Sequence, residues 1–299
     1  MQYCMVMHFV LYCILKGGVF MKSVYILMHQ RKPNAAELVR HMAGAFANAG
    51  ITAYAEPWLR ELAREMKLAC FHEGDPEQCE AIIALGGDGT LLRANALAIT
   101  YDLPVLGVNI GRVGFLTEIE LDQLAQTCQQ LARDEYSIEK RMMLEACLDG
   151  NTQLALNDVV LSRGGYARLI GIDAWVGDER VGHFLADGLI ISTATGSTGY
   201  SLSAGGPIIC PELECMVLTP ICAHSLQHRP VVTSAQQTVT VRLTDDVKAM
   251  VSIDGQEPVV FGAGQVLTVT RSARAARFIR VGSSGFFGKI RIKLSEWSC

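Results

Sequence analysis

No apolar run in this chain of 299 residues reaches the roughly 20 that a helix needs to cross a bilayer. A spanning helix is thereby excluded, although the mean hydropathy of +0.25 raises the question. The nearest approach, Tyr3 to Leu15, is broken by His8 and preceded by no Lys or Arg, so it lacks the charged start of a secretory leader. Basic residues are not in excess either. The 26 Lys and Arg stand against 30 Asp and Glu, a net charge of -4, which argues against nucleic acid as a partner. The ten cysteines (Cys4, Cys13, Cys70, Cys79, Cys128, Cys147, Cys210, Cys215, Cys222, Cys299) form no CxxC pair, and Cys215, Cys222 and His224 match no zinc template. Such scattered thiols read as small buried hydrophobes in a reducing compartment, which places the protein in the cytoplasm. Two nucleotide signatures are missing as well. There is no G-x-x-x-x-G-K-[ST], against a P-loop ATPase, and no G-x-G-x-x-G after the first strand, against an ordinary dinucleotide-binding dehydrogenase. No Ser-His-Asp or Cys-His arrangement stands out, and of the histidines only His183 lies near a chemically dense stretch, where it reads as structural or solvated.

What is present is enough apolar material for two cores: 50% hydrophobic against 19% charged residues, with no bias of the kind disordered chains show. From Val24 the grammar alternates strand and helix. MKSVYILMHQ reads as a first strand; Ala35, Leu38, Val39, Met42, Phe46 and Ala49 recur at helical spacing, and Gly50 closes the helix. Ile51 to Ala55 and AIIAL at 81–85 read as further strands, Leu59 to Leu68 and Leu91 to Ile99 as helices, and LPVLGV at 103–108 as another buried strand. That alternation predicts a doubly wound α/β domain over 21–120. After a helical stretch at Leu121 to Arg133 the segments become short and β-rich, with Gly and Asp turns at 149–150 and 177–179, predicting an antiparallel, β-sandwich-like domain over 121–281. Residues 282–299 form an amphipathic tail, helix or strand, expected to pack back on the first domain. Residues 1–20 are read as a non-essential extension upstream of a working start at Met21.

Two motifs carry chemistry. GGDGT at 86–90 lies between a buried strand and a helix start, where open α/β sheets bind ligands. Gly86, Gly87 and Gly89 are expected to take positive φ and to let a phosphate approach main-chain N–H groups, with a helix opening near Thr90 adding its dipole. Asp88 would repel a bare polyphosphate; it fits if it handles Mg²⁺ or takes a proton from an attacking hydroxyl. The second motif is DGLIISTATGSTGYSLSAGGPI, Asp187 to Ile208. Its hydroxyls at Thr193, Thr195, Ser197, Thr198, Ser201 and Ser203, set among glycines, are expected to form an uncharged cradle of donors, with Tyr200 covering a planar ring.

GGDGT alone resembles an element shared by diacylglycerol, sphingosine and phosphofructokinases. Joined in order to GVNIGRVGFLTEI (107–119), ALNDVVLSR (155–163), TATGSTGYSLSAGGPI and SIDGQ (252–256), it resembles the bacterial NAD kinases from about Val24 to Phe286 and Phe287. The resemblance implies transfer of the γ-phosphate of ATP to the 2′-hydroxyl of the adenosine ribose of NAD, with Mg²⁺ accompanying the nucleotide and no residue assigned as a metal ligand. It implies Asp88 as catalytic base with Gly89 beside it, and Gly86, Gly87, Gly89 and Thr90 around phosphate. Asn157 and Asp158 match an Asn-Glu pair that binds NAD hydroxyls or the adenine side. Thr198, Gly199, Tyr200, Ser201, Leu202 and Ser203 match the segment that grips the nicotinamide and adenine moieties; Asp187, Gln256, Arg168 and Leu185 fall on further ligand-facing positions. A homodimer or homotetramer is implied, because the family completes its NAD site across a subunit boundary. Three positions depart from the family: Asp158 stands for Glu, Gly199 for a common Ala, and Leu185 for a residue polar in some relatives.

A lipid kinase of the same superfamily, or a non-catalytic NAD-binding sensor, would share much of this plan. The Asn157-Asp158 pair and the tract at 187–208 oppose the first, since a lipid headgroup offers little for so many polar groups to hold, and Asp88 opposes the second. Deleting residues 1–20 is expected to leave folding and activity intact; loss of either on assaying the shortened chain assigns those residues to the domain.

Overall fold

The computed structural model describes residues 21–29, 34–68, 71–111, 114–165, 169–225, 228–282 and 285–296. The extension at 1–20, Arg168, Cys4, Cys13, Cys70 and Cys299 lie outside the described residues. The chain divides into two compact units, one holding residues up to Glu139 with Phe278–Gly285, the other Lys140–Arg277 with the C-terminal residues from Phe286.

The first unit begins with β1 (Ser23–Met28), α1 (Ala35–Ala49), β2 (Thr52–Ala55), α2 (Pro57–Glu65) and β3 (Phe71–His72). It continues with β4 (Ala81–Gly86), α3 (Asp88–Tyr101), β5 (Val105–Asn109), β6 (Ile119–Glu120) and α4 (Leu124–Ala132). The strands form a parallel sheet in the order β5-β4-β1-β2-β3. Chain order therefore reverses between β1 and β4, and the carboxyl ends of strands flanking such a reversal are where this architecture binds ligands. One face carries α1, whose Leu38, Val39, Met42 and Phe46 are buried with Ile26, Ile83, Leu106 and Val108. Each such side chain removed from water contributes about 1.5–3 kcal/mol. Gly50 ends α1 in the left-handed conformation at φ 68, the C-cap its position led us to expect. The helix expected near 121–133 stays with this unit because Leu124, Cys128 and Leu131, at helical spacing, join the same core. Burial pushes the thiols of Cys79 and Cys128 up to about 12, the neighbouring Glu80 adding to the effect at Cys79.

The second unit is antiparallel. It contains most of β7 (Ser137–Leu148), then β8 (Asn151–Ala155), β9 (Asp158–Arg163), β10 (Ile170–Val176), β11 (Glu179–Ala186) and β12 (Gly188–Thr193). There follow the short helix α5 (Tyr200–Ser203), β13 (Cys215–Ile221), β14 (Val231–Ser234), β15 (Val239–Leu243), β16 (Ala249–Ile253), β17 (Val259–Phe261) and the long β18 (Leu267–Arg280). One sheet runs β14-β13-β12-β9-β16-β17; β11, β10, β15 and the start of β18 pair in another. Ile172, Phe184, Ile191, Leu218, Val241, Val251 and Phe261 from both sheets share one core, the arrangement of a sandwich. The DG at 149–150 is a two-residue hairpin turn, Asp149 at φ 51 and Gly150 at φ 80, closing β7 onto β8. β18 carries the chain out of this unit, and its Phe278 pairs in parallel with Val105 of the first. The tail forms α6 (Phe286–Glu296), a helix rather than a strand, grouped with the second unit.

Candidate functional site

In the first unit the chemistry gathers at the carboxyl ends of β4 and β5, where Gly86 pairs with Asn109. All six residues of β4 are buried. Gly87 then caps α3 in an extended conformation, and the helix starts at Asp88, two residues before the position expected. None of Gly86, Gly87 and Gly89 takes a positive φ, contrary to the expectation, so their role is space. A Cβ on Gly86 would lie 2.1 Å from Oγ1 of Thr90, whose buried side chain packs onto that glycine. Gly87 and Gly89 are exposed, and a Cβ on either would meet nothing within 4 Å. The turn therefore presents bare backbone and open room at a helix N-terminus, which suits an approaching phosphate.

Asp88 is half-buried in this turn, and both of its oxygens are held. Phe115 N donates to Oδ2 and Leu116 N to Oδ1, each at 3.1 Å. A Cβ on Gly114 would fall 2.1 Å from Oδ1, so only glycine there lets the loop come this close. Each carboxylate oxygen retains further acceptor capacity. Asn109, almost fully buried, braces the start of the same loop: Nδ2 donates to both oxygens of Glu120 at 2.9 Å, and Oδ1 accepts from Gly111 N at 3.2 Å.

In the second unit the segment ALNDVVLSR, one run in the sequence, is two strands: β8 ends at Ala155 and β9 begins at Asp158. The break exposes three backbone donors, and Asp254 takes them all. Leu156 N reaches its Oδ2 at 2.7 Å, and Asn157 N and Asp158 N reach Oδ1 at 2.7 and 3.1 Å. Asp254 N returns a bond to Asp158 O at 3.0 Å. Asp254 and Gly255 sit in the left-handed region at φ 49 and 69, a tight turn aiming the carboxylate at the break. On the other side Asn157 O accepts from Thr193 N at 2.9 Å, and a Cβ on Gly196 would stand 2.0 Å from that oxygen. So fixed, Asn157 holds its side-chain Oδ1 buried with no hydrogen-bond partner, an acceptor suited to a ligand hydroxyl or amide.

The hydroxyl tract does something other than was expected of it. Thr193 Oγ1 donates to Leu156 O at 2.7 Å and accepts from Gly196 N at 2.9 Å; Ser197 Oγ donates to Ala194 O at 2.7 Å and accepts from Ile209 N at 3.0 Å. Ser201 Oγ pairs with Thr219 Oγ1 at 2.8 Å. These buried hydroxyls tie down a 3-10 turn (Thr195–Thr198) and α5, so they build the loop. Facing outward are half-buried Thr198, Gly199 and Leu202, exposed Ser203, and Tyr200 at 47% exposure, enough ring to cover a ligand. A Cβ on Gly199 would lie 3.3 Å from Gly196 O and 3.6 Å from Asn157 Nδ2, so glycine here widens the space beside the Asn157-Asp158 pair. Elsewhere in this unit Asp187 pairs with Arg163 at 3.1 Å, Leu185 is 40% exposed on β11, and Gln256 is exposed after the Asp254 turn. His183 lies 3.0 Å from Asp173. Asp254, Gly114 and Asn109 all stand inside motifs quoted above, yet none carries a signal of its role, because their partners are backbone groups that only folding brings near.

Asp158 is 6% exposed. Burial first, and the negative charge of Asp254 second, push its carboxyl from the ordinary 3.8 up to about 7. Burial also raises Asp254, against the pull of its three backbone donors. A carboxyl raised in the folded state binds its proton more tightly there than in the unfolded chain, so its effect on stability is most favourable at low pH and is lost as pH rises from about 4 through 7. Asp158→Asn, neutral and of the same size, is therefore expected to melt well above the parent at pH 8 and to approach it only as pH falls to about 4; an offset equal at both values contradicts the assignment. Asp254→Ala leaves three backbone donors without their acceptor, at about 1–3 kcal/mol each where buried. It is expected to lower the thermal midpoint, read by melting.

A family model for the ATP-NAD kinase N-terminal domain matches residues 24–136, and one for the ATP-NAD kinase C-terminal domain matches 156–281. An NAD kinase of Heliobacterium modesticaldum is 41% identical over 288 residues, covering 92% of this chain and 99% of the relative. One from Gemmatimonas aurantiaca is 47% identical over 222 residues, covering 72% and 77%. Among solved structures, yeast NADH kinase complexed with NADH aligns with a TM-score of 0.84 at 24% identity, over 93% of this chain and 88% of that one, a likeness of fold. An NAD kinase from Archaeoglobus fulgidus in complex with ATP gives 0.71 at 25% identity, over 90% and 98%. With both domain models matched in order and relatives alike over nearly the whole length, the chain belongs to the NAD kinase family.

Proposed function

We propose that Asp88 is the general base of the reaction this chain catalyses as an NAD kinase, the phosphorylation of NAD by ATP to give NADP and ADP. The 2′-hydroxyl oxygen of the adenosine ribose attacks the γ-phosphorus of ATP, its proton passes to a carboxylate oxygen of Asp88, and the bond from that phosphorus to the bridging oxygen of ADP breaks. The observation that carries this reading is the double clamp on Asp88 from Phe115 N and Leu116 N, inside a turn whose neighbours Gly87 and Gly89 are bare and exposed. A carboxylate already fixed by main-chain donors loses little freedom on meeting a substrate hydroxyl, and pre-orientation of this kind supplies much of the rate in phosphoryl transfer.

Gly86, Gly87, Gly89 and Thr90 form the phosphate-approach turn, Thr90 by packing and the glycines by their lack of side chains. Asn157 and Asp158 bind NAD hydroxyls, the free Oδ1 of Asn157 as acceptor. Thr198, Gly199, Tyr200, Leu202 and Ser203 hold the base or nicotinamide, Ser201 building the loop beneath them, and Asp187, Leu185 and Gln256 complete the ligand-facing set. Among the described residues no group of three or more His, Cys, Asp or Glu is placed to hold a metal. A divalent cation is read as borne on the phosphates of ATP, as Mg²⁺ usually is, and Asp88 is the carboxylate in the turn. When bound, such a cation neutralises charge on the transferring phosphoryl group. The working form is read as a cytoplasmic homodimer or homotetramer.

Purified protein with ATP, Mg²⁺ and NAD is expected to form NADP, and to make no phosphatidate from diacylglycerol; the reverse outcome returns the lipid kinase. Asp88→Asn is expected to lower kcat by about a hundredfold or more while NAD binding persists. Asp158→Ala is expected to act mainly on KM for NAD. A large rise in that constant at unchanged kcat for Asp88→Asn moves Asp88 from chemistry to binding.

A further inference from the structure

Asp88 depends on the loop that clamps it, and what holds the loop lies far away in the chain. Glu118 follows Phe115 and Leu116 by three and two residues, and its backbone N–H donates to Gly107 O on β5 at 2.9 Å. Its side chain is only 3% exposed, a costly place for a carboxylate without a cation. The cation is Arg280, at the end of β18. Its Nη1 reaches Glu118 Oε2 at 2.6 Å, its Nε pairs with Glu139, and the next residue adds Val281 N to Glu118 Oε1 at 3.4 Å. Arg280 is itself 16% exposed. Its planar fork thus joins the segment 114–118 to the β18 terminus and to the start of β7, and Glu118 meets it with both oxygens engaged.

We propose that Arg280 and Glu118 are positioning residues for Asp88: their ion pair sets the height of the 115–116 backbone donors and so fixes where the Asp88 carboxylate meets the ribose hydroxyl. Neither touches substrate. Glu139 shares the same guanidinium but leads into β7 rather than into the clamp, so it supports the fold without setting the loop. The inference rests on the reading of Asp88 as the base.

The test compares Arg280→Lys, Glu118→Gln and Glu139→Gln, alone and in the Asp88→Asn background, with kcat, both KM values and the thermal midpoint measured for each. Lysine keeps the charge but cannot bridge two carboxylates from one plane. Arg280→Lys and Glu118→Gln are expected to lower kcat about ten- to a hundredfold, the scale of a displacement near 1 Å, with KM for NAD and ATP unchanged. Glu139→Gln is expected to lower the melting point with kcat within about twofold of the parent. In the Asp88→Asn background Arg280→Lys is expected to cost no further kcat, although its effect on melting persists. Multiplying kcat losses in the double variant, or kcat falling in step with melting across all three single variants, overturns the inference and makes the pair a plain structural bridge. Full kcat in Asp88→Asn overturns the base assignment and this proposal with it, whereas a loss in Asp88→Asn with parental kcat in Arg280→Lys and Glu118→Gln overturns the proposal alone. If Arg280→Lys does not fold, Glu118→Gln, which keeps size and hydrogen bonding, decides the matter.

Discussion

Backbone N–H groups that leave a regular ladder must find an acceptor, and in this chain aspartate supplies it at both chemically dense places. Phe115 N and Leu116 N end on Asp88; Leu156 N, Asn157 N and Asp158 N end on Asp254. The two clamps work in opposite senses. At Asp88 the backbone orients a side chain, whereas at Asp254 a side chain orients the backbone. In both, a charge-assisted bond stronger than a neutral one holds a functional group with little freedom left to lose on binding.

Rigidity of this kind needs close approach, and the glycines provide it through absent side chains more than through unusual backbone angles. Gly114 and Gly196 would each place a Cβ about 2 Å from an oxygen of the site, Asp88 Oδ1 and Asn157 O. Thr193, Ser197 and Ser201 serve the same end, their hydroxyls bonding nearby backbone groups and Thr219. Among the buried polar atoms left without a partner are Ser192 Oγ and the Oδ1 of Asn157, the latter beside the space that Gly199 keeps open. Asp158 lies in the buried layer, where desolvation first and the charge of Asp254 second raise its carboxyl to about 7.

Much of the fold was legible in the order of residues because burial imposes a period on it. Leu38, Val39, Met42 and Phe46 fall on one helical stripe, and AIIAL is a continuous run because strands of a parallel sheet are covered on both faces. The turns at 149–150 and 177–179 were legible because Gly, and after it Asn and Asp, accept positive φ most readily, as Asp149, Gly150 and Gly177 do. GGDGT and the polar pair at 157–158 were legible as residue types in motifs. The break within ALNDVVLSR was not, since alternation continues across it and the interruption is set by a carboxylate about a hundred positions on. Nor was the inward turn of the hydroxyls, which in the sequence look the same whether they point at a ligand or at a carbonyl.

The sequence by itself determined the element types, the fold class and the family, and offered Asp88 as the candidate carboxylate, for these rest on local pattern and composition. Tertiary structure alone decided which groups hold that carboxylate, which polar atoms stay free, and that a residue near the C-terminus anchors the loop beside it. The reason is that hydrogen bonds and buried ion pairs are short and directional, so they depend on which backbone atoms are brought within 3 Å, and pairs as distant as Glu118 and Arg280 meet only when the strands beneath them have paired.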